Sequence, residues 1–128
     1  MQHGRLTRAV LRSANISMSM IIEAEMAGSD LSHASLKRSN LNGANLNQCD
    51  LTAAVLDGAG FVAARVKDAK LRGASARGAD FYRADLSGSD LTDGDFRGSR
   101  LQQADLDGAV TDGMKTRGAL LVDGTIGQ

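Results

Sequence analysis

At 128 residues the chain is long enough for one domain with a modest core. Its 15 Lys and Arg balance 15 Asp and Glu, so no net field draws nucleic acid or an anionic membrane surface. An aromatic content of 3% without Trp leaves no stacking platform for single strands, and no apolar run approaches the ~18 residues of a membrane span.

The chain opens with Arg5, Arg8 and Arg12, but Ser17 and Ser19 break the stretch from Ile16 to Ile22 that would have to serve as the apolar part of a secretory leader. The chain therefore reads as cytoplasmic. From Leu6 onward one register dominates. Positions 6, 11, 16 and every fifth residue to Leu106 are apolar, 21 out of 21, in a chain that is 42% hydrophobic. Chance gives such a run with a probability on the order of 10⁻⁸. Two residues before each of these centres the side chain is small, from Ala9 and Ala14 through Cys49 to Ala104. A period of five fits neither the α-helix at 3.6 nor the strand at 2. It predicts a chain that turns a corner every five residues and sends one large and one small side chain inward per turn. Ten of the 15 glycines, from Gly28 to Gly118, fall two residues after a centre, where a corner needs tight or positive φ. Pro, which cannot donate to a ladder, is absent.

Units such as Ser39-Asn40-Leu41-Asn42-Gly43, Ala44-Asn45-Leu46-Asn47-Gln48 and Ala84-Asp85-Leu86-Ser87-Gly88 resemble the pentapeptide-repeat family, A-(D/N)-L-X-X. The resemblance covers nearly the whole chain. It implies an all-β fold, a right-handed quadrilateral β-helix with four pentapeptides per coil, and so roughly six coils at ~4.8 Å spacing in a rod about 29 Å long. Residues 20 apart should then stack. Phe61 should lie against Phe81 as a ring ladder, and the small Ala76 should sit beneath Phe96.

Inward positions carry no chemistry, so any site must lie on the outward ones. One column reads Lys37, Asp57, Arg77, Arg97 and Arg117, a mostly basic stripe, while Asp80, Asp85, Asp90, Asp93, Asp95 and Asp105 gather acid in the later coils. A solvated, charge-mixed surface accounts for both, and the Asp/Asn preference before each centre explains most of the acids. His3 and His33 fall in different columns. Asp30, Ser32 and His33 do not make a triad, since successive side chains on a β-helix face point apart. Cys49 belongs to the small-residue column and reads as buried and structural. No catalytic residue, metal site or cofactor is expected.

One outward face stands out, with Met20, Ile22, Val62, Tyr82, Leu120 and Val122 flanking a single column of centres, and Met18 extending it. Contiguous exposed apolar area means a partner. Towards the C-terminus the register weakens: the centres at 111 and 116 are Thr, and Met114 fills a small slot before Leu121 and Ile126 restore apolar order. The chain divides into a regular β-helix over 1–110 and a degenerate coil over 111–128 that caps the core. The first coil starts in register without a cap, so another domain, a second subunit or the first coil's own residues must cover it. The function this implies is a non-catalytic docking or spacer scaffold, as in family members appended to bacterial effectors and secretion-associated proteins. A homodimer would form through the apolar face or an end, without nucleic acid or membrane. The alternative is that of the quinolone-resistance members, which mimic duplex DNA to bind DNA gyrase. Neutral charge and mainly Leu centres set this chain apart from them.

Overall fold

The computed structural model describes residues 4–128, so His3 lies outside the described residues. Isolated parallel bridges join residues 20 apart, beginning with Arg5↔Glu25 and ending with Arg100↔Leu120. Each pentapeptide contributes one bridging residue, the one before its centre. Twenty residues divided by five give four pentapeptides per coil. The centre N–H donates to the bridging carbonyl of the next coil, as Leu46 does to Arg65 at 2.6 Å, and the bridging N–H donates back to a small-slot carbonyl of the coil before, as Arg65 does to Ala44. The backbone ladder is thereby satisfied coil by coil.

Every corner turns the same way. At most corners the small-slot N–H donates back to the centre three residues earlier, as Ala64 does to Phe61, while at Ser19 and Ala69 it goes to the hydroxyl of Ser39 or Ser89 one coil on; the residue at the second corner position has positive φ. That is a type II arrangement. Gly28 and Gly88 occupy it without strain, but 13 corners among the described residues are not glycine, with φ of +54° to +61°. An exposed example is Ala63, at φ +57°. Removing its Cβ relieves a left-handed penalty of ~1–2 kcal/mol against an added unfolded-state entropy of ~0.5–1 kcal/mol. Ala63→Gly is therefore expected to raise stability by about 0.5–1 kcal/mol in denaturant melts, the reverse of the usual effect of glycine.

The corner leaves one further N–H to satisfy, that of the residue after each centre. Asp or Asn before the centre takes it with Oδ1: Asn40 accepts from Asn42, Asp50 from Thr52, Asp85 from Ser87 and Asp90 from Thr92. Where the bridging residue is Gly60, Arg65 or Ser75, the acceptor comes from the coil before. Asn42 then serves Val62, Asn47 serves Lys67, and Asp57 serves Arg77. Most of the acid in the sequence is turn chemistry of this kind.

The interior is two sets of columns. Leu31, Leu51, Leu71 and Leu91 form one centre column, each fully buried. Phe61 and Phe81 stack with centroids 4.7 Å apart and planes 1° from parallel, and Phe96 tilts 48° to meet Phe81 at 5.4 Å. Ala76 lies one coil below Phe96 and leaves room for that tilt. Buried slot hydroxyls bond to backbone carbonyls of the coil before, except that of Ser99, which has no partner among the described residues. Ser39 donates to the Ile16 carbonyl and Ser89 to that of Val66, while Cys49 donates its thiol hydrogen to Met26 at 2.9 Å.

The ends differ from the middle. Leu6, Leu11 and Ile16 are only half-buried. At the other end the bridges continue to Lys115 and Leu120. The chain then turns through Gly124, at φ +85°, and returns along Leu120 in an antiparallel bridge to Ile126. Gly118 donates to Gly127, and Gly127 donates to Ala119. The segment 122–128 thus folds back along one side of the rod. Thr111 is exposed, Leu106 and Met114 are half-buried, and a cavity of about 430 Å³ opens beside Leu101, Leu106, Met114 and Leu121. The returning segment pairs with one side of the core end, within the stretch 111–128 read from sequence as a degenerate coil that caps the core.

Candidate interaction surface

The bridges Met20↔Asn40, Asn40↔Gly60, Gly60↔Asp80, Asp80↔Arg100 and Arg100↔Leu120 put the candidate residues on one side of the rod. They do not merge into one apolar patch. Met20 is 51% and Val122 41% exposed, whereas Ile22, Val62, Tyr82 and Leu120 are half-buried. The middle of the face is polar: Asn42 lies under Val62, and the Tyr82 ring is covered by the Arg100 guanidinium at 4.1 Å, with Arg83 at 5.2 Å. Arg100 also pairs with Asp80 at 3.5 Å. This is a cation–π arrangement that shields the ring.

Exposed apolar area gathers at the two ends instead. Val10 is 76% exposed, Met18 74% and Met20 51% at one end; Val110 is 44%, Val122 41% and Ile126 65% at the other. Val10 and Val110 stand at bridging positions where Asp or Asn is the family habit, and that departure was the signal in the sequence. The backbone edge at the C-terminal end is open too. Among the described residues the N–H groups of Leu106, Thr111 and Thr116 have no backbone acceptor, while those of Leu86, Leu91 and Phe96 one coil earlier do.

The chemistry-bearing residues do not converge. The Ser32 hydroxyl and N–H both donate to Asp30, and Arg12 approaches the same carboxylate at 3.7 Å. Ser32 is therefore committed to a turn, and these bonds hold the Asp30 carboxyl below its ordinary value. Burial pushes the Cys49 thiol up to about 11, which makes it a poor nucleophile. Among the described residues no three His, Cys, Asp or Glu side chains form a metal-binding group, and no helix is long and apolar enough to cross a membrane.

The turn carboxylates give the rod a pH dependence. Two guanidinium bonds from Arg97, at 2.8 and 2.7 Å, hold Asp95 down at about 2. The hydroxyls of Thr92 and Thr125 lower Asp90 and Asp123 in the same way. A carboxyl depressed in the folded state contributes stability above its unfolded value of about 4 and loses it as the pH falls through the folded value. Thermal melts followed by circular dichroism should show the midpoint dropping as the pH falls from about 4 towards 2. An Asp95→Asn variant should show a shallower drop.

Comparison with known proteins agrees with this geometry. The family described as pentapeptide repeat region matches residues 24–110. No curated protein sequence matches the chain. Among solved structures, a pentapeptide repeat protein from the Arabidopsis thaliana thylakoid lumen is 30% identical, with a TM-score of 0.73 over 76% of this chain and 68% of its own. HetL, a pentapeptide repeat protein involved in heterocyst differentiation regulation in the cyanobacterium Nostoc sp. strain PCC 7120, is 29% identical over 95% of this chain and 68% of its own, with a TM-score of 0.42. QnrB1, a plasmid-mediated fluoroquinolone resistance protein, is 17% identical over 93% of this chain and 70% of its own, with a TM-score of 0.49. The chain belongs to the pentapeptide repeat family, whose fold is a right-handed quadrilateral β-helix.

Proposed function

We propose that the protein is a non-catalytic scaffold, a rigid β-helical rod of about six coils that docks protein partners, a second copy of itself among them, through its ends. The observation that carries this reading is the C-terminal end, where the 430 Å³ apolar cavity lies beside Val122 and an unpaired ladder edge. Exposed apolar area and free strand edge are the two features that recruit a partner. The opposite end supports it with Val10, Met18 and Met20. The side face bearing Ile22, Val62 and Tyr82 plays the smaller part, because its middle is polar and its ring is covered. A DNA mimic needs a continuous negative field, and Arg65, Lys67, Lys70 and Arg72 interrupt the acidic columns between Asp50 and Asp85. The cytoplasmic placement rests on the sequence alone, since the Arabidopsis relative is a thylakoid-lumen protein.

Sedimentation velocity tests the reading. The wild type should show a larger species that grows with concentration, and Ile22→Asp and Tyr82→Ala should behave like it. The double variant Val122→Asp/Ile126→Asp, at two exposed positions, should remain monomeric. If all of them sediment as one monomeric species up to near-millimolar concentration, self-association through the ends is wrong.

A further inference from the structure

On a side of the rod away from the two ends, the corners at Gly58, Gly78 and Gly98 stack one coil apart and leave a lane floored by bare backbone. A Cβ at Gly78 would meet nothing within 4 Å, and one at Gly98 would meet only the Gly78 nitrogen at 4.0 Å. The lane opens into a groove of about 560 Å³ whose charged walls are Lys37, Arg38, Arg77 and Arg97 against the single carboxylate of Asp57. Asp57 is already engaged, accepting from the Ser75 hydroxyl and the Arg77 N–H. Asp95, next to the groove, takes both bonds from Arg97 and lies 4.0 Å from Arg77. Lys37 and Arg38 have no carboxylate within ion-pair distance among the described residues. In a chain of zero net charge, this groove is a concentrated positive site.

We propose that this groove binds an extended acidic peptide segment of a partner protein, with its backbone along the glycine lane and its carboxylates on Lys37, Arg38, Arg77 and Arg97. Three rungs at ~4.8 Å give about 14 Å from Arg38 to Gly98, the length of roughly four extended residues. The glycine N–H groups are spent on the ladder, Gly58 on Arg77 and Gly78 on Arg97, so recognition falls to the cationic side chains. The missing side chains at the corners let a peptide backbone approach closely. Nucleic acid suits the groove less well. The one tyrosine, Tyr82, stands in another column under Arg100, and the lane offers no ring for a base to stack on.

Fluorescence anisotropy of a labelled hexaglutamate peptide with the full chain at low ionic strength tests the assignment. Saturable binding that weakens with added salt is expected. Arg77→Glu should weaken it about tenfold or more. Lys67→Glu, the same charge change on a different side, should leave it unchanged. Gly78→Asn adds a neutral side chain to the lane at a φ that asparagine tolerates, and should weaken binding severalfold without altering the thermal melt. The proposal fails if no saturable binding is seen, if Lys67→Glu and Arg77→Glu act alike, if Gly78→Asn has no effect, or if an oligodeoxythymidine binds as tightly as the peptide. None of these outcomes touches the docking ends, which the sedimentation experiment addresses separately.

Discussion

Phe81→Ala should lower the stability of the rod by about 3–5 kcal/mol, read as a fall in the urea midpoint with little change in slope. Phe81 is fully buried and joins two neighbours, stacking on Phe61 at 4.7 Å and meeting Phe96 at 5.4 Å. Truncation removes both ring contacts and leaves a cavity in the middle of the core. Neighbours can fill it only by moving backbone that the ladder fixes from above and below. In a solenoid the damage stays local, so hydrogen exchange should quicken mainly in the coils around residues 61–101.

Gly94→Ala is the second large effect, and its sign runs against helix and strand propensity alike. Gly94 fills the small slot that holds Ala34, Ala54 and Ala74 in the coils before. There a Cβ would meet the Phe96 ring at 2.8 Å and the Leu91 carbonyl at 3.1 Å. Alanine, harmless in the other three coils, should cost about 1–3 kcal/mol here through overpacking. The double variant Gly94→Ala/Phe96→Leu should be less unstable than the sum of the two single changes, because the smaller side chain vacates the contested space. Additive losses would mean that the ring is not the obstacle.

The fold was legible because the large centres and the small slots are set by the same geometry at every turn. Leu41, Phe61, Ala64 and Leu86 could be placed inside from period alone, and the ladder between Phe61 and Phe81 followed from a spacing of 20. The Asp and Asn before each centre were legible as a repeat preference, while their role as acceptors for the turn N–H emerged from the structure. The acceptor supplied from the coil before, as Asn42 does for Val62, was not legible, because it depends on a side chain 20 residues away reaching across to the next coil. The candidate surface was harder for a related reason. A column of apolar letters does not say whether a charged neighbour lies over them, and Arg100 covers Tyr82 from the next coil. The reversal after Leu121 was also hidden, since Ile126 keeps the five-residue register in sequence while its bridge to Leu120 is antiparallel.

Amide hydrogen exchange at rising protein concentration tests most directly whether the rod works through its ends. In dilute solution the amides of Leu106, Thr111 and Thr116 should exchange fast, having no backbone acceptor among the described residues, while those of Leu86, Leu91 and Phe96 should be slow. As concentration rises, protection should appear at Leu106, Thr111 and Thr116 and leave the mid-rod amides unchanged. Fast exchange at these three residues at every concentration, alone or with a captured partner, would contradict the account.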